Sequence, residues 1–223
     1  MVVAAGSSRR MGGEPKQFRL LDGRPTVCWA ARALLGALAG PVVVVLPDTE
    51  VDLGEGLLHG HLGDDANRVL VTAGGARRRD SVAAGLALIE EARTVLVHDA
   101  ARPFASCALV ERVGRRAAQG RAVIPALPIH DTLKEVDGDR VTATRDRERF
   151  VLAQTPQGFP ADVLERAHAK PDNGEATDDA WLCEALGVPV FWIEGEPLNR
   201  KLTAAADWEW AEEMIDRGHV RWR

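Results

Sequence analysis

Short apolar runs alternate with stretches in which apolar positions recur every three or four residues. Val2–Ala5, Val42–Leu46, Arg68–Thr72, Thr94–His98 and Ala122–Ala126 read as strands. The unbroken β-branched character of Val42–Leu46 is that of a strand covered on both faces. Pro25–Leu38 reads as a helix with proline near its first turn. Helical patterns also fill Asp80–Glu91 and Ser106–Gln119. This alternation predicts an α/β fold with a mostly parallel sheet flanked by helices. Leu53–Asp65 is rich in Gly and His, lacks a clear period, and is expected to be a loop with a short helix.

Between Ile129 and Phe150 the texture changes. Lys134–Val136 and Arg140–Thr144 flank Asp137-Gly138-Asp139, a turn signal between two polar strands. A hairpin this polar has little core of its own, so it is expected to project and pack on something, such as a second subunit. A helix from Pro160, another over Asp178–Leu186, a strand over Val188–Ile193 and an amphipathic helix over Ala205–Arg217 follow. No repeat, low-complexity tract or long linker interrupts this order. The expectation is one domain over residues 1–223, with an arm at about 129–150.

Composition narrows the partners. The chain has 223 residues, 46% hydrophobic, enough for a sizeable core. A net charge of -5 argues against an electrostatic grip on nucleic acid. No apolar run approaches the roughly 20 residues of a membrane helix, so no membrane partner is expected. The N-terminus has no basic segment before its apolar run and does not read as a signal peptide. Cys28, Cys107 and Cys183 stand far apart with no CxxC, which favours a reducing cytoplasm over a disulfide or zinc framework. Of 28 basic residues only four are lysine: Lys16, Lys134, Lys170 and Lys201. In so arginine-biased a chain, a lysine is a hint that a compact point charge is needed.

Candidate chemistry collects where the strands end, the usual ligand side of an open α/β sheet. The first strand runs into Ala4-Ala5-Gly6-Ser7-Ser8-Arg9-Arg10-Met11, then Pro15-Lys16-Gln17. Small residues let backbone N–H groups approach a phosphate, and basic side chains stand beside them. The third strand is followed by Gly74-Gly75-Ala76-Arg77-Arg78-Arg79-Asp80-Ser81, with Asp80 or Ser81 suited to cap the next helix. After the fourth comes His98-Asp99-Ala100-Ala101-Arg102-Pro103. An Asp at a strand end facing nucleotide phosphates suits Mg²⁺. His98 reads instead as a packed, hydrogen-bonded histidine.

The order AAGSSRRM, PKQ, GGARRRDSV, VHDAARPF, DTLK, TRDR, TPQGF and NRKLT resembles the 2-C-methyl-D-erythritol 4-phosphate cytidylyltransferase family of the non-mevalonate isoprenoid pathway. The resemblance runs from Val2 to about Asp207. It departs at Ser8, where the family's first loop usually has a second glycine.

The resemblance implies a Rossmann-like nucleotidyltransferase fold with a projecting β-arm that forms a homodimer. Arg10, Lys16, Arg147 and Lys201 would be catalytic. Ala4, Ala5, Gly6, Gly75, Arg78 and Ser81 would hold CTP. Asp99, Thr132, Arg147 and Lys201 would hold the polyol phosphate, and Asp99 would face Mg²⁺. If the arm crosses the dimer, each site borrows Arg147 from its partner. Two other readings stand beside this one. One is a nucleotidyltransferase for another acceptor, such as ribitol 5-phosphate or a sugar 1-phosphate. The other is a nucleotide-binding regulatory protein without turnover. The end of the chain after its last helix is expected to exclude fusion to a further enzyme of the pathway.

Overall fold

The computed structural model describes residues 1–6, 15–171 and 176–222. The chain opens with β1 (Val2–Val3), a small hairpin of β2 (Leu20–Leu21) and β3 (Arg24–Pro25), and α1 (Thr26–Ala37). Next come β4 (Val42–Leu46), α2 (Val51–Leu62), β5 (Val69–Ala73), α3 (Arg78–Leu86), β6 (Thr94–Asp99), α4 (Cys107–Ala117) and β7 (Ala122–Pro128). A hairpin of β8 (Leu133–Asp137) and β9 (Arg140–Arg145) precedes β10 (Val151–Ala153) and β11 (Gln157–Pro160). Then α5 (Ala161–Ala169), α6 (Asp179–Ala185), β12 (Val190–Glu194) and α7 (Ala205–Asp216) complete the order.

The main sheet runs β5-β4-β1-β6-β11-β7, with β12 along the far edge of β7. β5, β4, β1 and β6 are mutually parallel, as are β7 and β12. β11 is antiparallel to both its neighbours. β10 runs along β7 in line with β11, and the cis Thr155-Pro156 bond lies between the two strands. β10 and β11 are short and carry no long apolar run, so the periodicity of the chain did not reveal them.

Alternation along β4 divides the core. Val42, Val44 and Leu46 point toward α1, α2 and α4, whereas Val43 and Val45 face α3, α5 and α6. All five are fully buried, and each such burial is worth about 1.5–3 kcal/mol. A third cluster joins α7 to the body through Leu21, Trp29, Phe104, Leu202 and Trp208.

One expectation is corrected. The stretch expected as a loop is the twelve-residue helix α2, followed by a 3₁₀ turn over Gly63–Arg68. Gly54, Leu58 and Leu62 are its buried residues, spaced four apart on one face. A Cβ at Gly54 would stand 2.1 Å from Leu46 Cδ1, so the glycine that looks like a helix breaker lets α2 lie against β4.

The polar hairpin is a separate two-stranded sheet. Its residues are almost all exposed on both faces, including Val136 at 60% and Val141 at 56%. Lys134 Nζ donates to Thr144 Oγ1 across it at 2.7 Å, and Arg145 pairs with Glu135.

Candidate active site

A cavity of about 440 Å³ opens at the carboxyl ends of β1, β5 and β6. Its walls include Ala4–Gly6, Lys16, Gly75–Arg78, Ser81, Asp99–Ala101 and Lys201–Thr203, with Trp208 of α7 behind them. Tertiary structure thus gathers Ala4, Ala5, Gly6, Lys16, Gly75, Arg78, Ser81, Asp99 and Lys201 from four separate stretches of chain.

The loop after β5 is held by its own polar groups. Ser81 Oγ accepts from Gly75 N–H at 3.2 Å and donates to Arg77 O at 3.2 Å. Neither Asp80 nor Ser81 is the N-cap residue. The helix begins earlier, at Arg78, and Asp80 reaches back to accept the Arg77 N–H at 3.2 Å. A Cβ on Gly75 would meet Asp80 Cβ at 2.4 Å, so only glycine allows the loop to fold this tightly onto the helix start.

Charge concentrates around Asp99, whose side chain is 13% exposed. Lys201 Nζ lies 2.8 Å from Oδ2, Arg78 Nη2 3.4 Å from Oδ1, and Arg102 Nε 4.0 Å from Oδ2. Burial alone would push this carboxyl up. The charges of Arg78, Lys201 and Arg102 together overcome burial and hold it well below the usual carboxylate range. Arg78 is shared with fully buried Asp179, 2.7 Å from its Nη1, and Asp179 also accepts from His168 Nε2 at 3.0 Å. Lys16 Nζ donates to Thr203 O at 2.8 Å, and both residues line the cavity.

His98 is fully buried. Its Nε2 lies 3.0 Å from Arg102 O and its Nδ1 2.9 Å from Thr155 Oγ1. Burial lowers the imidazole to about 4, so it is neutral at pH 7. Burial pushes the thiols of Cys28 and Cys183 up to about 12, which makes neither a thiolate nucleophile.

The structure does not bring every candidate here. Arg10 lies outside the described residues. Within one chain, Thr132 and Arg147 do not line the cavity. Thr132 is exposed at the base of the hairpin, and Arg147 sits in a 3₁₀ turn after it, where Nη1 donates to His130 O. They flank the hairpin of β8 and β9, which pairs only with itself among the described strands.

Asp99 is the only carboxylate lining the cavity among the described residues. One carboxylate plus substrate phosphates is a usual arrangement for Mg²⁺. Here both carboxylate oxygens already face cations, so Asp99 would have to give up one of these contacts to face the ion.

The model of the 2-C-methyl-D-erythritol 4-phosphate cytidylyltransferase family matches residues 1–217. The chain belongs to this family. The cytidylyltransferase of Nocardia farcinica is 44% identical, over 97% of this chain and 93% of that protein. A bifunctional enzyme IspD/IspF of Solidesulfovibrio magneticus is 49% identical over 93% of this chain, which spans 54% of that longer protein. The crystal structure of the cytidylyltransferase from Thermus thermophilus superposes with a TM-score of 0.78 at 37% identity, covering 96% of this chain and 97% of that one. The fold is therefore the mixed α/β fold of the family, with its mainly parallel sheet.

Two residues of this cytidylyltransferase site were not singled out by sequence reading. Arg102 is held by Asn199 O at 2.8 Å and Ala153 O at 3.1 Å, with its Nε turned to Asp99. It stands three residues after Asp99 in a motif already quoted, which was the available signal. Asp179 is 101 residues from Arg78, and nothing in the sequence pairs them.

Proposed function

We propose that this chain transfers the cytidylyl group of CTP to 2-C-methyl-D-erythritol 4-phosphate in isoprenoid precursor synthesis. The observation that carries the reading is the convergence of a small-residue backbone cradle with Lys16, Arg78 and Lys201 around one carboxylate, Asp99. An acceptor phosphate oxygen attacks the α-phosphorus of CTP. The bond from that phosphorus to the bridging oxygen breaks, and its electrons leave with pyrophosphate. The nucleophile is already anionic, so no general base is required. The task left to the protein is to position two anions and screen their repulsion. The cavity suits that task, because among the described residues that line it cations outnumber carboxylates.

Ala4–Gly6, Gly75 and Ser81 cradle the nucleotide, and Arg10 and Lys16 counter the charge on departing pyrophosphate. Asp99 would face Mg²⁺ brought by the triphosphate, and the ion would neutralise charge on the phosphates. Lys201 aims the acceptor phosphate. Thr132 and Arg147, which do not line this chain's own cavity, serve the cavity of a second copy in a homodimer built through the arm. We read residues 1–223 as one nucleotidyltransferase domain working in the cytoplasm.

The test is pyrophosphate release from CTP with 2-C-methyl-D-erythritol 4-phosphate and ribitol 5-phosphate offered separately. Turnover with the first and not the second is expected, with ATP and UTP poorer donors than CTP. Preference for ribitol 5-phosphate would reject the acceptor, and comparable turnover with ATP would reject the nucleotide assignment.

A further inference from the structure

We propose that His98 and Thr155 act as positioning residues, forming a hydrogen-bond relay that fixes the Asp99 backbone and thereby the Asp99–Lys201 pair. The inference rests on the assignment of Lys201 to the acceptor phosphate.

The relay can be followed atom by atom. Asp99 N–H donates to Thr155 Oγ1 at 3.0 Å. Thr155 Oγ1 lies 2.9 Å from His98 Nδ1, and His98 Nε2 lies 3.0 Å from Arg102 O. A carbonyl only accepts, so a neutral imidazole must carry its proton on Nε2. Nδ1 is then an acceptor, and the Thr155 hydroxyl must donate to it. The hydroxyl therefore accepts from Asp99 and donates to His98, and every proton has one place to go. Arg102 N–H closes the loop onto Asp99 O at 3.0 Å.

The same unit reaches the second member of the pair. Arg102 Nη1 donates to Asn199 O, and buried Asn199 Nδ2 donates to Thr155 O at 2.7 Å. Asn199 precedes Lys201 by two residues, and Leu202 N–H donates to Ala101 O at 2.8 Å. The turn bearing Asp99 and the segment bearing Lys201 are thus tied to one threonine and one histidine. Thr155 and His98 do not line the cavity, so their influence passes through the backbone.

Thr155→Val keeps the shape of the side chain and removes the hydroxyl, whereas Thr155→Ser retains it. His98→Gln offers an amide to Arg102 O but gives up the Nδ1 acceptor. Steady-state kinetics with CTP and 2-C-methyl-D-erythritol 4-phosphate, beside Lys201→Ala, separate the outcomes. For Thr155→Val and His98→Gln we expect a KM for the polyol phosphate raised up to about tenfold, with the KM for CTP within about twofold. Thr155→Ser should restore the wild-type value. A loss of kcat with both KM values unchanged, or equal behaviour of Thr155→Val and Thr155→Ser, overturns the relay. If Lys201→Ala leaves the polyol phosphate KM unchanged, the acceptor assignment falls and takes the proposal with it. Should the valine variant fail to fold, ¹⁵N NMR of the wild-type protein decides. A neutral His98 protonated at Nε2 supports the relay, and protonation at Nδ1 overturns it.

Discussion

Lys201 Nζ and Asp99 Oδ2 lie 2.8 Å apart although 102 residues separate them in the chain. Arg78 holds the other oxygen of the same carboxylate at 3.4 Å and anchors itself on buried Asp179. Lys201 is the more exposed of the two cations, at 45% against 24% for Arg78. It is therefore the one free to turn from the carboxylate toward an arriving phosphate, while Arg78 stays clamped between two acids.

Removing Lys16 tests the cationic screening of the departing pyrophosphate. Lys16→Ala should lower kcat on the order of 10²-fold, the usual cost of deleting one transition-state donor. Stopped assays for pyrophosphate at saturating substrates give the number. A kcat within threefold of wild type would remove Lys16 from the chemistry.

Asp99→Asn preserves shape but removes the counter-charge that Lys201 and Arg102 face and one of the two that Arg78 faces. The fold should persist, because Arg78 keeps Asp179. Activity should fall by at least about tenfold, since a charged hydrogen bond is worth roughly 1.5–3 kcal/mol. Titrating Mg²⁺ against rate in both proteins checks the metal assignment, and an unchanged Mg²⁺ requirement with near-normal rate would sink it.

Arg147 should act in trans. Mixing inactive Lys16→Ala and Arg147→Ala chains lets a heterodimer carry one intact site and one with both defects. Random exchange makes about half the dimers heterodimers, so recovery should approach a quarter of wild-type sites. Absence of recovery, with subunit exchange shown by mass spectrometry, would place Arg147 in its own chain's site or outside any site.

Asp179 links charge to stability. Burial would push its carboxyl up, but Arg78 and His168 outweigh that and hold it below the ordinary range. A depressed carboxylate stabilises the fold above the unfolded value of about 3.9 and loses that contribution as pH falls below it. Asp179→Asn should cost about 3–5 kcal/mol at pH 7, as for a broken buried pair. The gap from wild type should narrow as pH drops through the carboxylate range. Urea midpoints at pH 7 and pH 3.5 measure both, and an equal gap at both would reject the linkage.

Much of the fold could be read directly from local pattern. Val42–Leu46 is the strand expected to the residue, because unbroken β-branched runs covered on both faces leave few alternatives. Local pattern misled at α2. Gly54 there is a packing device against Leu46, and a glycine's neighbours are invisible along the chain. The short β10 and β11 were missed because pairing to β6 and β7, and not their own periodicity, makes them strands.

The order of the motifs, through the family they resemble, named Lys16, Gly75, Arg78, Asp99 and Lys201, and all five line one cavity. The sequence determined part of this by itself, because the loops after β1, β5 and β6 leave parallel strands on one side of the sheet. Only tertiary structure decided how the charges are shared. Arg78 divides itself between Asp99 and Asp179, His98 lies between Arg102 O and the Thr155 hydroxyl, and Thr132 and Arg147 do not line the cavity of their own chain. These facts rest on distances between residues remote in sequence, and Coulomb energy and hydrogen-bond geometry depend on distance in space, which order along a chain does not specify.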